Sequence, residues 1–116
     1  MANPNIVNVT TISGKTSVQL VTTTPTAIVE NTAASGKVIK VNSLYISNIT
    51  GTASTVDVDV YRSSTAYRIA KSLQVPANST LDIISKSVYL EEGDSLRLTA
   101  PTGTTLEAVC SYEEIS

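Results

Sequence analysis

Apolar residues recur at every second position along most of the chain, and the alternation is clearest from Ser54 to Arg62. There Val56, Val58 and Val60 share one face and Asp57, Asp59 and Tyr61 the other, which predicts a strand with one buried side. The stretch from Val75 to Ala100 repeats this grammar in shorter pieces. Leu81 and Ile83, Val88 and Leu90, and Leu96 and Leu98 form same-face pairs around a turn carrying Gly93 and Asp94. From Val38 to Asn48 the pattern changes phase, because Ile39 and Val41 have one parity and Leu44 and Ile46 the other; a bulge near Asn42 and Ser43 reconciles them. Residues 6–12 and 17–22 read as two strands of a hairpin about Ser13-Gly14-Lys15, with an N-terminal arm over residues 2–12 as the alternative. Pro25 interrupts pairing before the short strand TAIVEN, and Ala33 to Gly36 is a turn. The linker ITGTA after Asn48 is short enough to make the strands on either side of it an antiparallel pair. Tyr67 to Ala70 is a weaker strand, Leu106 to Tyr112 is the final one, and all five glycines fall between strands in this reading.

Some nine short strands at spacings of about ten residues, with no helical period of useful length, predict an all-β fold: an antiparallel two-sheet sandwich, jelly-roll-like. Parallel sheets are disfavoured because the crossover helices they need are missing. The core of an immunoglobulin domain, with its Cys, Trp, Cys arrangement, cannot be drawn from one cysteine and no tryptophan. Residues 1–116 are expected to form a single domain.

Composition sharpens this picture. Thr, Val and Ile make up about a third of the chain, and β-branched side chains suit a pleated surface. A net charge of −2 with no run of Lys or Arg provides no field for phosphate backbones, so nucleic acid is not expected as a partner. No stretch approaches a membrane span, and MANPNIVNVTT lacks the basic and apolar regions of a signal peptide, so synthesis and residence in a cytoplasm are expected. The sequons at Asn8, Asn48 and Asn78 then read as chance in a Thr-rich chain.

Candidate chemistry is sparse. Without histidine, Ser-His-Asp and Cys-His nucleophile systems are excluded, as are imidazole zinc sites, and the single Cys110 builds no thiolate site. Cys110 sits in an apolar alternation and reads as a buried thiol. Ser13-Gly14-Lys15-Thr16 resembles the end of a phosphate loop, but position 9 is Val9 rather than glycine and no helix follows, so a turn is favoured. Asp57 and Asp59, with Asp82, offer oxygens for a hard cation, and Glu91, Glu92 and Asp94 offer a second set on a loop. A solvated outer face is favoured for the first set, and Gly93 explains the loop of the second without a metal. No cofactor, metal or enzymatic activity is expected. For contacts, Tyr45, Tyr61, Arg62, Tyr67 and Arg68 are the candidate interface residues, since tyrosine and arginine combine area with a polar handle.

The second half, with VNSLYISN, VPANSTLDI, VYLEEGDSLRLTA and the ending VCSYEEIS, resembles the small β-sandwich virion proteins of tailed phages, particularly contractile-tailed cyanophages. The resemblance runs from Val38 to the C-terminus. It implies a non-enzymatic structural or decorating role in a capsid, neck, tail or fibre, with other virion proteins as partners and the virion as location. It brings no catalytic residues. A module binding carbohydrate or another host-surface ligand is the alternative. A core built without Phe or Trp predicts shared surface and hence a homo-oligomer; the resemblance suggests a trimer, with residues 2–12 reaching a neighbour.

Overall fold

The computed structural model describes residues 4–116. Nine strands follow one another: β1 (Ile12–Leu20), β2 (Thr26–Glu30), β3 (Val38–Asn48), β4 (Ser54–Arg62), β5 (Thr65–Val75), β6 (Thr80–Asp82), β7 (Val88–Leu90), β8 (Ser95–Thr99) and β9 (Leu106–Ile115). One sheet has the order β1-β9-β3-β6, with β7 also on β3; the other has the order β2-β8-β4-β5. Strands β7 and β6 pair with Ile39–Val41 and Tyr45–Ser47 of the same strand β3, so together they act as one broken strand. With that counted once, the antiparallel pairs nest: β1 with β9, β2 with β8, β3 with β6 and β7, β4 with β5. This is a long hairpin rolled into two sheets, the topology of a jelly roll, and it bears out the expected fold class.

The core lies between the sheets and is built from Leu, Ile and Val. Val56, Val58, Leu44, Ile46, Leu90, Leu96, Leu98 and Leu106 are completely inaccessible to solvent. Each such side chain contributes about 1.5–3 kcal/mol by leaving water, so this aliphatic layer holds the sheets together without large aromatics. Val60, Leu81, Ile83 and Val88 pack on it only in part. The phase change in β3 is a bulge: pairing with β9 shifts between Val41 and Ser43, and the displaced Asn42 donates to Glu113 Oε1 at 3.1 Å. Gly93 has φ +89°, as its turn between β7 and β8 requires.

Several expectations are corrected. Ser13-Gly14-Lys15 is not a turn: Ile12–Leu20 is one strand, with Gly14 opposite Glu113, and residues 6–11 form no strand. The reason is length in the partner, since β9 continues past Tyr112 to Ile115 and supplies a ladder for the whole segment. One glycine therefore does lie inside a strand. β3 and β4 do not pair; they belong to different sheets, because both sides of β3 are taken by β9 and by β6 with β7. ITGTA is thus a crossing between sheets.

The weak strand at Tyr67 extends over Thr65–Val75 and forms a hairpin with β4 through Ser63 and Ser64. Both serines have positive φ, 51° and 60°, the backbone of a type I′ turn built without the usual Asn or Gly.

Two buried asparagines tie the connections down. Asn48 Nδ2 donates to the carbonyls of Thr52 and Val75, while its Oδ1 accepts from the Thr50 N–H and hydroxyl. Asn31 does the same work at the other end, donating to Lys37 and Leu90 carbonyls and accepting from Ser35. Asn48 is 3% exposed, so its sequon presents no accessible amide.

Candidate interaction surface

The five candidate interface residues do not form one patch. Tyr61 and Arg68 lie on the outer face of the β2-β8-β4-β5 sheet, where Asp59 sits opposite Arg68 on one side and Arg97 on the other. Arg97 Nε donates to Asp59 Oδ1 at 3.0 Å, Arg68 reaches Oδ2 at 3.8 Å, and the Arg97 guanidinium stacks 3.8 Å over the Tyr61 ring. The carboxylate is only 2% exposed. Asp59 is therefore not part of a solvated acidic face with Asp57; cross-strand arginines cover it, which alternation along a single strand does not reveal.

Arg62 and Tyr67 point to the opposite side of the same hairpin. With Val60 and Tyr89 they line a hollow of about 380 Å³ at the open end of the sandwich. Arg62 is held by a two-pronged contact with Asp94 and a bond to Glu91 Oε2 at 2.8 Å, and Asp94 also accepts the Glu91 N–H. Burial alone would raise the Asp94 pKa, but the guanidinium and the backbone N–H outweigh it and hold the carboxyl below its ordinary range. The acidic loop thus serves as a clamp on Arg62. Asp82 is elsewhere, opposite Tyr45, and no cluster of three metal-ligating groups occurs among the described residues.

Tyr45 belongs to the outer face of the other sheet. Register places Val18, Val109, Tyr45 and Asp82 in one row across β1, β9, β3 and β6. Val18, Val109 and Tyr45 are 73%, 40% and 44% exposed, an apolar row in water. Sequence reasoning found Tyr45 but missed the two valines, because alternation marks valine as core without saying which sheet face is covered. Along β1, Ile12 and Leu20 are exposed as well. The N-terminal segment lies over the far end of this sheet: the Thr10 and Thr11 N–H groups donate to the Ser116 carbonyl, and Pro4 and Ile6 face Val38 and Tyr89. Residues 2 and 3 of the expected arm lie outside the described residues.

Cys110 is fully buried on β9, and burial pushes its thiol up to about 11. A thiol so placed stays protonated and unreactive near neutral pH.

No family model and no curated protein matches the chain. Among solved structures, a chain from Bacillus endospore appendages, described as a novel family of disulfide-linked pili, is similar with a TM-score of 0.54 and 15% identity. The match covers 91% of this chain and 87% of that one. At that identity the likeness concerns the fold.

Proposed function

We propose that this chain is a structural subunit without chemistry of its own, working as a virion component of a tailed phage, where its task is to occupy a place in a larger assembly. One observation carries the structural part of this reading: a nine-residue edge strand, β1, that exposes Ile12, Val18 and Leu20 and continues onto an outer face bearing Val109 and Tyr45. Isolated apolar residues on a surface are ordinary, but a contiguous row beside an unpaired backbone edge favours association. The virion part rests on the resemblance of the segment from Val38 onward. Similarity of fold to a pilus chain is in keeping with a building-block role, although the buried Cys110 offers no disulfide link of the kind that pilus is described as having. Mass spectrometry of purified phage particles tests the proposal: the chain should appear in stoichiometric amounts, and its absence from particles that express it during infection would overturn the reading.

A second reading has its own observation. Tyr67 and Tyr89 line one hollow together with Val60 and Arg62, and aromatic rings beside a guanidinium offer a surface and a donor to a sugar ring. Glycan-array binding abolished by Tyr67→Ala would favour a host-surface ligand module over a purely structural subunit.

A further inference from the structure

The edges of the two sheets are treated very differently. Strand β5 pairs with β4 through two irregularities, carries Arg68 and Lys71, and has Ser72 at φ +50°, with the Ser72 N–H and Lys71 Nζ both on Asp57. Bulges and cations of this kind keep an edge from accepting another strand. β2 is bulged, and two of its carbonyls, Ala27 and Ile28, are taken by the side chains of Gln19 and Ser17. β6 and β7 are three residues each. β1 has neither bulge nor proline, and nine residues pair with β9 in unbroken register. Its one charge, Lys15, is drawn to Glu114 at 3.0 Å.

The ladder fixes which backbone groups are free. Thr11 and Ser116 exchange both N–H···O bonds, and the Val21 N–H donates to Leu106 at the other end, in the same register. Hydrogen-bonded and non-hydrogen-bonded pairs alternate in an antiparallel ladder, so residues 13, 15, 17 and 19 bond to β9. Ile12, Gly14, Thr16, Val18 and Leu20 therefore turn their N–H and C=O groups away from the sheet, and their side chains lie on its outer face.

We propose that β1 is a two-fold docking edge for a second copy of this chain, the two β1 strands pairing antiparallel about Thr16. The register is self-complementary. Thr16 meets Thr16 of the second copy, Gly14 meets Val18, and Ile12 meets Leu20, so all five outward residues of each strand are used and about ten backbone hydrogen bonds form. Val18 gains the open space over Gly14, where an added Cβ would touch nothing within 4 Å, and Ile12 and Leu20 cover each other. Charge points the same way. Lys15 falls opposite Ser17 of the second copy rather than another cation. Such a contact is isologous and closes at two copies, unlike the heterologous contact a threefold ring requires.

The test uses the intact chain. Light scattering behind size exclusion at tens of micromolar should give twice the 12.2 kDa of one chain. Thr16→Pro removes an N–H that the β9 ladder does not use, so the fold should persist by circular dichroism while the mass falls to one chain. The paired Thr16 Cα atoms would lie about 5.5 Å apart, inside disulfide range, so Thr16→Cys should cross-link under mild oxidation at least tenfold faster than Asn78→Cys on an exposed turn. A monomeric wild type, a mass unchanged by Thr16→Pro, or no cross-linking of Thr16→Cys above the control would each overturn the pairing. This proposal does not depend on the virion assignment: a dimer absent from phage particles would sink that reading and leave the pairing intact.

Discussion

Replacing Asn48 by alanine probes the most connected polar side chain at the crossing between sheets. The side chain makes four hydrogen bonds, at 2.8 Å to the Thr52 carbonyl, 3.1 Å to that of Val75, 2.9 Å from the Thr50 N–H and 2.7 Å from its hydroxyl. These partners differ in what they lose. Thr52 and Thr50 lie near solvent, so water replaces Asn48 there at a cost of about 0.5 kcal/mol each. Val75 is completely buried, and its carbonyl loses a donor that water cannot easily supply, which costs about 1–3 kcal/mol. The sum is about 2–4 kcal/mol. For 116 residues, the usual unfolding entropy of about 2.1 cal/mol/K per residue converts this to a fall in Tm of roughly 8–16 °C. Thr50→Val, which removes one hydroxyl partner at the surface, should lose about 1 kcal/mol or less. Guanidinium titrations and thermal melts followed by far-ultraviolet circular dichroism measure both. If Asn48→Ala melted within 3 °C of wild type, or no lower than Thr50→Val, the claim that a side chain holds this crossing together would fail.

Other outcomes follow from the same structure. Val58 is fully buried, so Val58→Asp should cost about 3 kcal/mol or more, while Thr55→Asp on the outer face should cost little; equal losses in denaturant midpoint would refute the assignment of faces. Asp94 is held below its ordinary pKa, so the Arg62 clamp stabilises the fold above about pH 4 and its contribution is lost as pH falls through the lowered folded value. The gap in urea midpoint between wild type and Arg62→Ala should therefore be widest at pH 7 and shrink toward pH 2; a constant gap would contradict the clamp. Substituting Asn-Gly for Ser63-Ser64, both of which have positive φ, should stabilise by about 1 kcal/mol or more, and a lower melting temperature would exclude the type I′ geometry.

The fold class was legible in the chain because period-two alternation and a wealth of β-branched residues are local properties. Ser54–Arg62 was readable to the residue, and the Asn42 bulge was readable because a change of parity leaves a mark within a single strand. Gly93 declared its turn, since glycine is where positive φ costs least. Partnership was not readable. Whether Ile12–Leu20 is one strand or a hairpin depended on how far β9 runs, nearly a hundred residues away, and whether β3 pairs with β4 depended on who else occupied its sides. Ser63 and Ser64 turn the chain without a turn signature because the long β4–β5 ladder imposes the geometry on them. The surface followed the same division. Sequence named Tyr45, Tyr61, Arg62, Tyr67 and Arg68 by type, but only the register separated them into an Asp59-centred ion row, an open-end hollow and an exposed apolar row. Local periodicity determines which side of a strand is dry; only tertiary pairing decides which dry sides are covered, and at Val18 and Val109 the monomer leaves apolar side chains in water.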